Sequence, residues 1–319
     1  MVFCSKCGYK NNDSNDKCEK CGEFLLKHEF FEAKSDEKFE EIFTEENLNA
    51  LCELTVEDYN NIIENITKMG HYNLVKFIET QNIDVKNLST LDKISILAIS
   101  YSKIGYKSKG AELGSYSFNN ILVDDRLFDS NKISTLIHEL SHHIFSEIFE
   151  QVLMYVWECK KSDAIEALAW FTLITNPLTN LSNEYCAHTC EGRFIPFGYQ
   201  NYGSFNKILN ENFNPEKDQK AVTLALVFGN TISTDIINIL ETFIDINLRE
   251  EIKEQFKNDY TIPPNYEQIL LESKEIMPDE DKINNITAIL TSGFKAAQEK
   301  NAHEILESFK ETFENFDIN

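Results

Sequence analysis

Apolar residues recur along most of this chain at three- and four-residue intervals, the spacing that places them on one face of an α-helix. On that pattern residues 37–49, 56–69, 71–80 and 89–103 read as successive helices, with turns at Gly70 and across 82–87. The pattern then changes: Gly105, Gly110 and Gly114 bracket a loop, and 115–124 carries β-favouring residues and reads as a single strand. A strongly amphipathic helix follows, with Ile133, Leu136, Ile137, Leu140, Ile144, Phe145 and Ile148 on its apolar face and an end near Glu150. Residues 152–175 are apolar enough for a buried helix interrupted near 160–163 and closed by Asn176-Pro177. A short helix to Gly192 and an aromatic loop over 193–203 come next, and then further helices at 219–228, 233–256, 264–273 and 281–316, the last with a break expected at Gly293. The fold class is therefore α+β and predominantly helical, with a small sheet beside the 133–150 helix.

The 319 residues suffice for one large or two moderate domains, and 42% hydrophobic with 12% aromatic residues marks a folded chain. The formal charge of −23 changes the picture most. Such a field repels nucleic acid and anionic membranes, so neither is an expected partner. No charged region followed by an apolar run opens the sequence, and apolar windows such as 221–228 are too short for a span, so a cytoplasmic protein is expected.

Four of the eight cysteines form two C-x-x-C-G knuckles, Cys4/Cys7 and Cys18/Cys21. Their thiolates are spaced to close a Cys4 site around one structural Zn²⁺, like the short zinc ribbon at the N-terminus of many bacterial proteins. Residues 1–27 thus read as a ribbon domain, stabilised by its metal, and 28–319 as the main domain with its core at about 105–205. Five lysines against four acidic residues leave the ribbon nearly uncharged, which suits a protein partner better than nucleic acid.

Within the 133–150 helix lies His138-Glu139-Leu140-Ser141-His142, an H-E-x-x-H sequence. Residues four apart stack on one helical face, so both imidazoles can grip one metal ion while Glu139 projects beside it as a general base. Farther on, Glu184, His188 and Glu191 share a face at i, i+4 and i+7, with Cys186 and Cys190 on the opposite face as small buried residues. A strand leading into an H-E-x-x-H helix resembles the zincin metallopeptidases, over roughly residues 112–192. Asn183-Glu184-x-x-Ala187 resembles the N-E-x-x-[SA]-D segment of the thermolysin-like gluzincins. That resemblance implies a catalytic Zn²⁺ on His138, His142 and Glu184, and a strand edge on which an extended peptide can lie.

His188 stands where that family has Asp, which leaves two readings. Either Glu184 is the third ligand and His188 acts beside it on water or substrate, or His188 itself is the ligand. Arg193, Tyr199 and Tyr202 in the aromatic loop are candidates for contacting substrate or a developing oxyanion. The expected activity is zinc-dependent peptide hydrolysis. The alternative is a non-catalytic interaction scaffold with a structural or vestigial metal site and the ribbon as its docking device. A nucleic-acid-associated protease suits the acidic charge poorly.

Overall fold

A computed structural model describes residues 2–3, 10–11, 19–20, 42–106, 113–117, 120–214, 216–269 and 271–300. Cys4, Cys7, Cys18 and Cys21 lie outside the described residues, as does His303. Beside the cysteine positions, β1 (Val2–Phe3) pairs antiparallel with β2 (Lys10–Asn11). The rest is predominantly helical with a small three-stranded sheet, an α+β fold as the periodicity indicates.

Helices α1 (Glu45–Ala50), α2 (Val56–Thr80) and α3 (Thr90–Ile99) begin at side-chain caps. Thr55 with Asp58 and Ser89 with Asp92 form reciprocal capping boxes, in which hydroxyl and carboxylate satisfy amides that the first turn leaves unpaired. The turn expected at Gly70 does not occur. α2 runs straight through it, because Gly70 packs against the Tyr101 ring and the helix keeps both its hydrogen bonds and its buried face.

The single strand expected over 115–124 is instead two: β4 (Gly114–Ser117) and β5 (Asn120–Val123) pair antiparallel, Ser117 opposite Asn120. A third strand, β3 (Lys103–Tyr106), pairs parallel with β5 where the sequence reads as helix end and loop. The order β3-β5-β4 puts β4 at the sheet edge.

Most of the fold packs around α4 (Asp129–Val156), which touches α2, α3, α5 (Asp163–Thr175), α6 (Pro177–Phe194), α8 (Gln219–Glu241), α9 (Ile246–Asp259) and strands β4 and β5. Between Ile133 and Met154 only His138, His142 and Gln151 are not fully buried. A helix apolar and buried on nearly all sides must lie in the core, and each buried Ile or Phe contributes about 1.5–3 kcal/mol there. Phe145 and Phe149 stack at 5.4 Å within it. Ser162 caps α5, and Asn176 caps α6 with Pro177 in its first turn. α6 lies against α8 at Gly229, where a Cβ would come within 2.5 Å of the Ser182 carbonyl oxygen. That close approach fixes the helix carrying Glu184. α8 is long and apolar enough to cross a membrane, yet more than half of that apolar stretch is buried in the protein.

Toward the C-terminus α7 (Gly203–Asn212) precedes α8, and α10 (Asp279–Glu299) packs on α5. α10 continues through Gly293, which faces Thr172, without the expected break. Among the described residues of 264–273 no helix forms. The segment is a strap whose backbone groups find side-chain partners instead. Tyr185 Oη accepts from Ser273 N at 2.9 Å, Thr231 Oγ1 accepts from Met277 N at 3.0 Å, and Asn206 Nδ2 donates to Gln268 O at 3.0 Å.

A second polar cluster is sealed in the core between α4 and α5. Lys161 Nζ lies 2.7 Å from Glu150 Oε2, 3.3 Å from Glu147 Oε2 and 3.4 Å from Glu166 Oε1, all four side chains being at most 9% exposed. Burial disfavours charge on Lys161, but the three carboxylates outweigh it and hold its pKa well above the ordinary value. Burial, opposed by Lys161 and reinforced by the neighbouring carboxylates, pushes Glu150 up to about 7.

Candidate metal centre

The two motif histidines breach the buried surface of α4 at the floor of a cavity of about 630 Å³. Its walls come from β4 (Leu113 to Tyr116), from α6 (Asn183, Glu184, His188, Glu191) and from the start of α7 (Gly203, Ser204). The β4 backbone runs so close to α4 that a Cβ on Gly114 would stand 2.3 Å from Thr135 Cγ2 and 3.0 Å from Glu139 Oε1. Only glycine admits that approach, and it sets the sheet edge directly beside the expected general base.

Three donor groups converge on the floor. His138 Nε2 and His142 Nε2 are 3.1 Å apart, and the Glu184 carboxylate lies 3.5 Å from the first and 3.4 Å from the second. The opposite ring nitrogens are already committed: His138 Nδ1 faces Glu191 Oε2 at 3.2 Å and His142 Nδ1 faces Asn183 Oδ1 at 3.0 Å. Those acceptors fix a proton on each Nδ1, which turns both Nε2 lone pairs inward. Two such lone pairs and a carboxylate at these distances need a shared proton or a cation between them.

The electrostatics carry the same demand. Burial disfavours a charged His138, but Glu184 and Glu191 override it and hold its pKa well above the ordinary imidazole value. Burial likewise opposes charge on Glu184, yet its contacts with His138, His142 and His188 keep it well below the usual carboxylate range. Glu191 is held down to about 2: burial works against its charge, while His138 and His188 together win. Glu139, buried and flanked by these carboxylates, is pushed up by desolvation, which the two histidines only partly offset.

His188 is 3% exposed and bridges two carboxylates, with Nε2 3.3 Å from Glu184 Oε1 and Nδ1 3.3 Å from Glu191 Oε2. With His138 and Glu191 it makes a second close group of donors, distinct from the His138-His142-Glu184 set. Its Nε2 also stands 3.3 Å from Ser204 Oγ, and the Ser204 hydroxyl donates to Glu184. His188 thus lies against Glu184 and beside the His138 ring, 4.5 Å between ring centres.

The aromatic loop divides its roles. Tyr199 lines the cavity and packs on Phe256 and Tyr260. Tyr202 packs on the His188 ring at 4.7 Å and donates its hydroxyl to Gln200, whose amide in turn donates to the His188 carbonyl at 2.7 Å. Arg193 departs from the expectation: it is half exposed, pairs with Glu241 at 2.7 Å and does not line the cavity, because the α6 turn that carries it faces α8. Cys186 and Cys190 are wholly buried on the far face of α6.

No family model, curated protein or solved structure matches this chain. Its site must therefore be read from its own residues. Several were not assigned from sequence. Glu191 meets the His138 Nδ1 at 3.2 Å, and its i+7 spacing from Glu184 was the available signal. Ser134, one turn before His138, donates to the other Glu191 oxygen. Ser204 carried no signal, since it reaches Glu184 only through the packing of α7 on α6.

Proposed function

We propose that this protein is a zinc-dependent peptidase with a zincin-like catalytic core, in which His138, His142 and Glu184 hold the metal. One observation carries the reading. Ligands about 2.0–2.2 Å from a tetrahedral Zn²⁺ stand about 3.3–3.5 Å from one another; here the two imidazole nitrogens are 3.1 Å apart and lie 3.5 and 3.4 Å from the two oxygens of Glu184, close to that spacing. The donor set, two neutral imidazoles and a carboxylate, is also that of catalytic zinc with an open fourth position.

A Zn²⁺ bound there supplies a Lewis acid that polarises a carbonyl and lowers the pKa of water. The chain's own groups do the rest. Glu139 accepts the water's proton and delivers it to the leaving amine, and burial has already raised its affinity for that proton. Glu191 and Ser134 orient His138, Asn183 orients His142, and Ser204 with His188 holds Glu184. An extended substrate lies along the free edge of β4, where Leu113 to Tyr116 border the cavity. The four N-terminal cysteines hold a second, structural zinc and present the ribbon to a protein partner, in a cytoplasmic setting.

Hydrolysis of an unfolded protein such as casein tests this reading. Activity should disappear with a chelator and return with one equivalent of added Zn²⁺ beyond the structural ion. Cleavage that survives complete metal removal would refute it.

A further inference from the structure

Among the described residues that line the cavity, Lys207 is the one Lys or Arg. It sits one turn after Ser204 on α7, at the i+3 position that shares a helical face, about 5–6 Å on between Cβ atoms. Ser204 touches Glu184, and Lys207, an exposed side chain on a flexible four-carbon stem, borders the same cavity one turn farther along α7. Its side chain is exposed and makes no ion pair among the described residues, in a protein where acidic groups far outnumber basic ones.

The charge balance explains what such a cation is for. Glu139, Glu184 and Glu191 line the same cavity, and with one divalent ion they leave a single negative charge that Lys207 cancels. Without it, the site would repel any anionic peptide, as the −23 protein as a whole does. Nearby, Trp170, Leu173 and Ile174 contribute an apolar wall, and Asn180 and Asn201 add neutral amides.

We propose that Lys207 determines specificity by pairing with a carboxylate on the substrate, an Asp or Glu side chain or the free chain terminus, within about three residues of the cleaved bond. The proposal rests on the peptidase reading. Its test separates the two by measuring binding as well as cleavage.

Full-length Glu139→Gln protein, zinc-loaded, is titrated with peptides identical except for Glu or Gln scanned along the sequence, each with a free or amidated C-terminus. At one position the carboxylate should tighten binding by about threefold to tenfold, the range of a partly screened ion pair. The Lys207→Ala change should erase that preference while leaving affinity for the Gln peptide within about twofold, and Lys207→Glu should reverse it in favour of Lys. The scan tells the two sources apart, since a terminal carboxylate is lost on amidation and a side chain is not. A preference that persists in Lys207→Ala, or no preference at any position, overturns the proposal. Charge-selective binding together with no cleavage by the Glu139-containing protein would overturn the peptidase reading and leave the Lys207 contact standing.

Discussion

A Glu139→Gln protein should keep its zinc and lose its turnover. Glutamine preserves the size of the side chain and its place beside Gly114, but it cannot take a proton from water. Loss of general-base catalysis lowers kcat by about 10²–10⁴-fold. Metal content should be unchanged, because Glu139 is not among the three groups that converge on the cavity floor. The pair of measurements is kcat on a fluorogenic peptide and zinc per chain by elemental analysis. A variant that cleaves at the normal rate would end the proposed role of Glu139. A variant that has also lost its metal would show that the carboxylate holds the site rather than moving a proton.

Replacing Lys161 by Met should cost about 3–5 kcal/mol of stability, among the largest effects open to a single change in this chain. The substitution leaves Glu147, Glu150 and Glu166 buried around an apolar side chain, each having lost the cation within 3.4 Å. Buried carboxylates without a counter-charge must take up protons or unfold the region between α4 and α5. Urea denaturation should show the midpoint falling with little change in slope. Combining Lys161→Met with Glu147→Gln and Glu150→Gln should recover a large part of the loss, since the penalty comes from unpaired charge rather than lost volume. An unchanged midpoint in the single variant would mean that the cluster carries no such energy.

The same cluster gives a pH dependence of definite sign. Glu150 titrates at about 7 in the native protein against an ordinary 4.5, so the native state keeps a proton that the unfolded chain has released. Its contribution is full below about pH 4.5 and is lost as the pH rises toward 7. The stability of the wild type relative to Glu150→Gln should therefore decline across that window and level off above it.

The sequence made α4 and its motif legible because both are local: apolar residues every three or four positions, and two histidines one turn apart. Glu184 was legible for the same reason, as part of one turn of α6. What the pattern could not show depends on distant partners. β3 is only four residues long and exists because it pairs in parallel with β5, so Lys103 to Tyr106 read as the end of a helix and the start of a loop. The strap over 263–278 has helix-compatible residues, yet Tyr185, Asn206 and Thr231 satisfy its backbone without a helix. Arg193 pairs with Glu241, 48 residues away, and does not line the cavity, a partner that no local pattern could show. Lys161 looked like part of an ordinary break between two apolar runs until α4 and α5 packed their carboxylates around it.

The central claim is that His138, His142 and Glu184 bind a zinc ion of their own. Counting zinc in the full-length protein and in a His138→Ala/His142→Ala variant, after exhaustive dialysis and reloading with one equivalent at a time, tests it directly. The count should fall by one ion per chain in the variant, with the ion held by the N-terminal cysteines retained. Equal counts in the two proteins would contradict the claim.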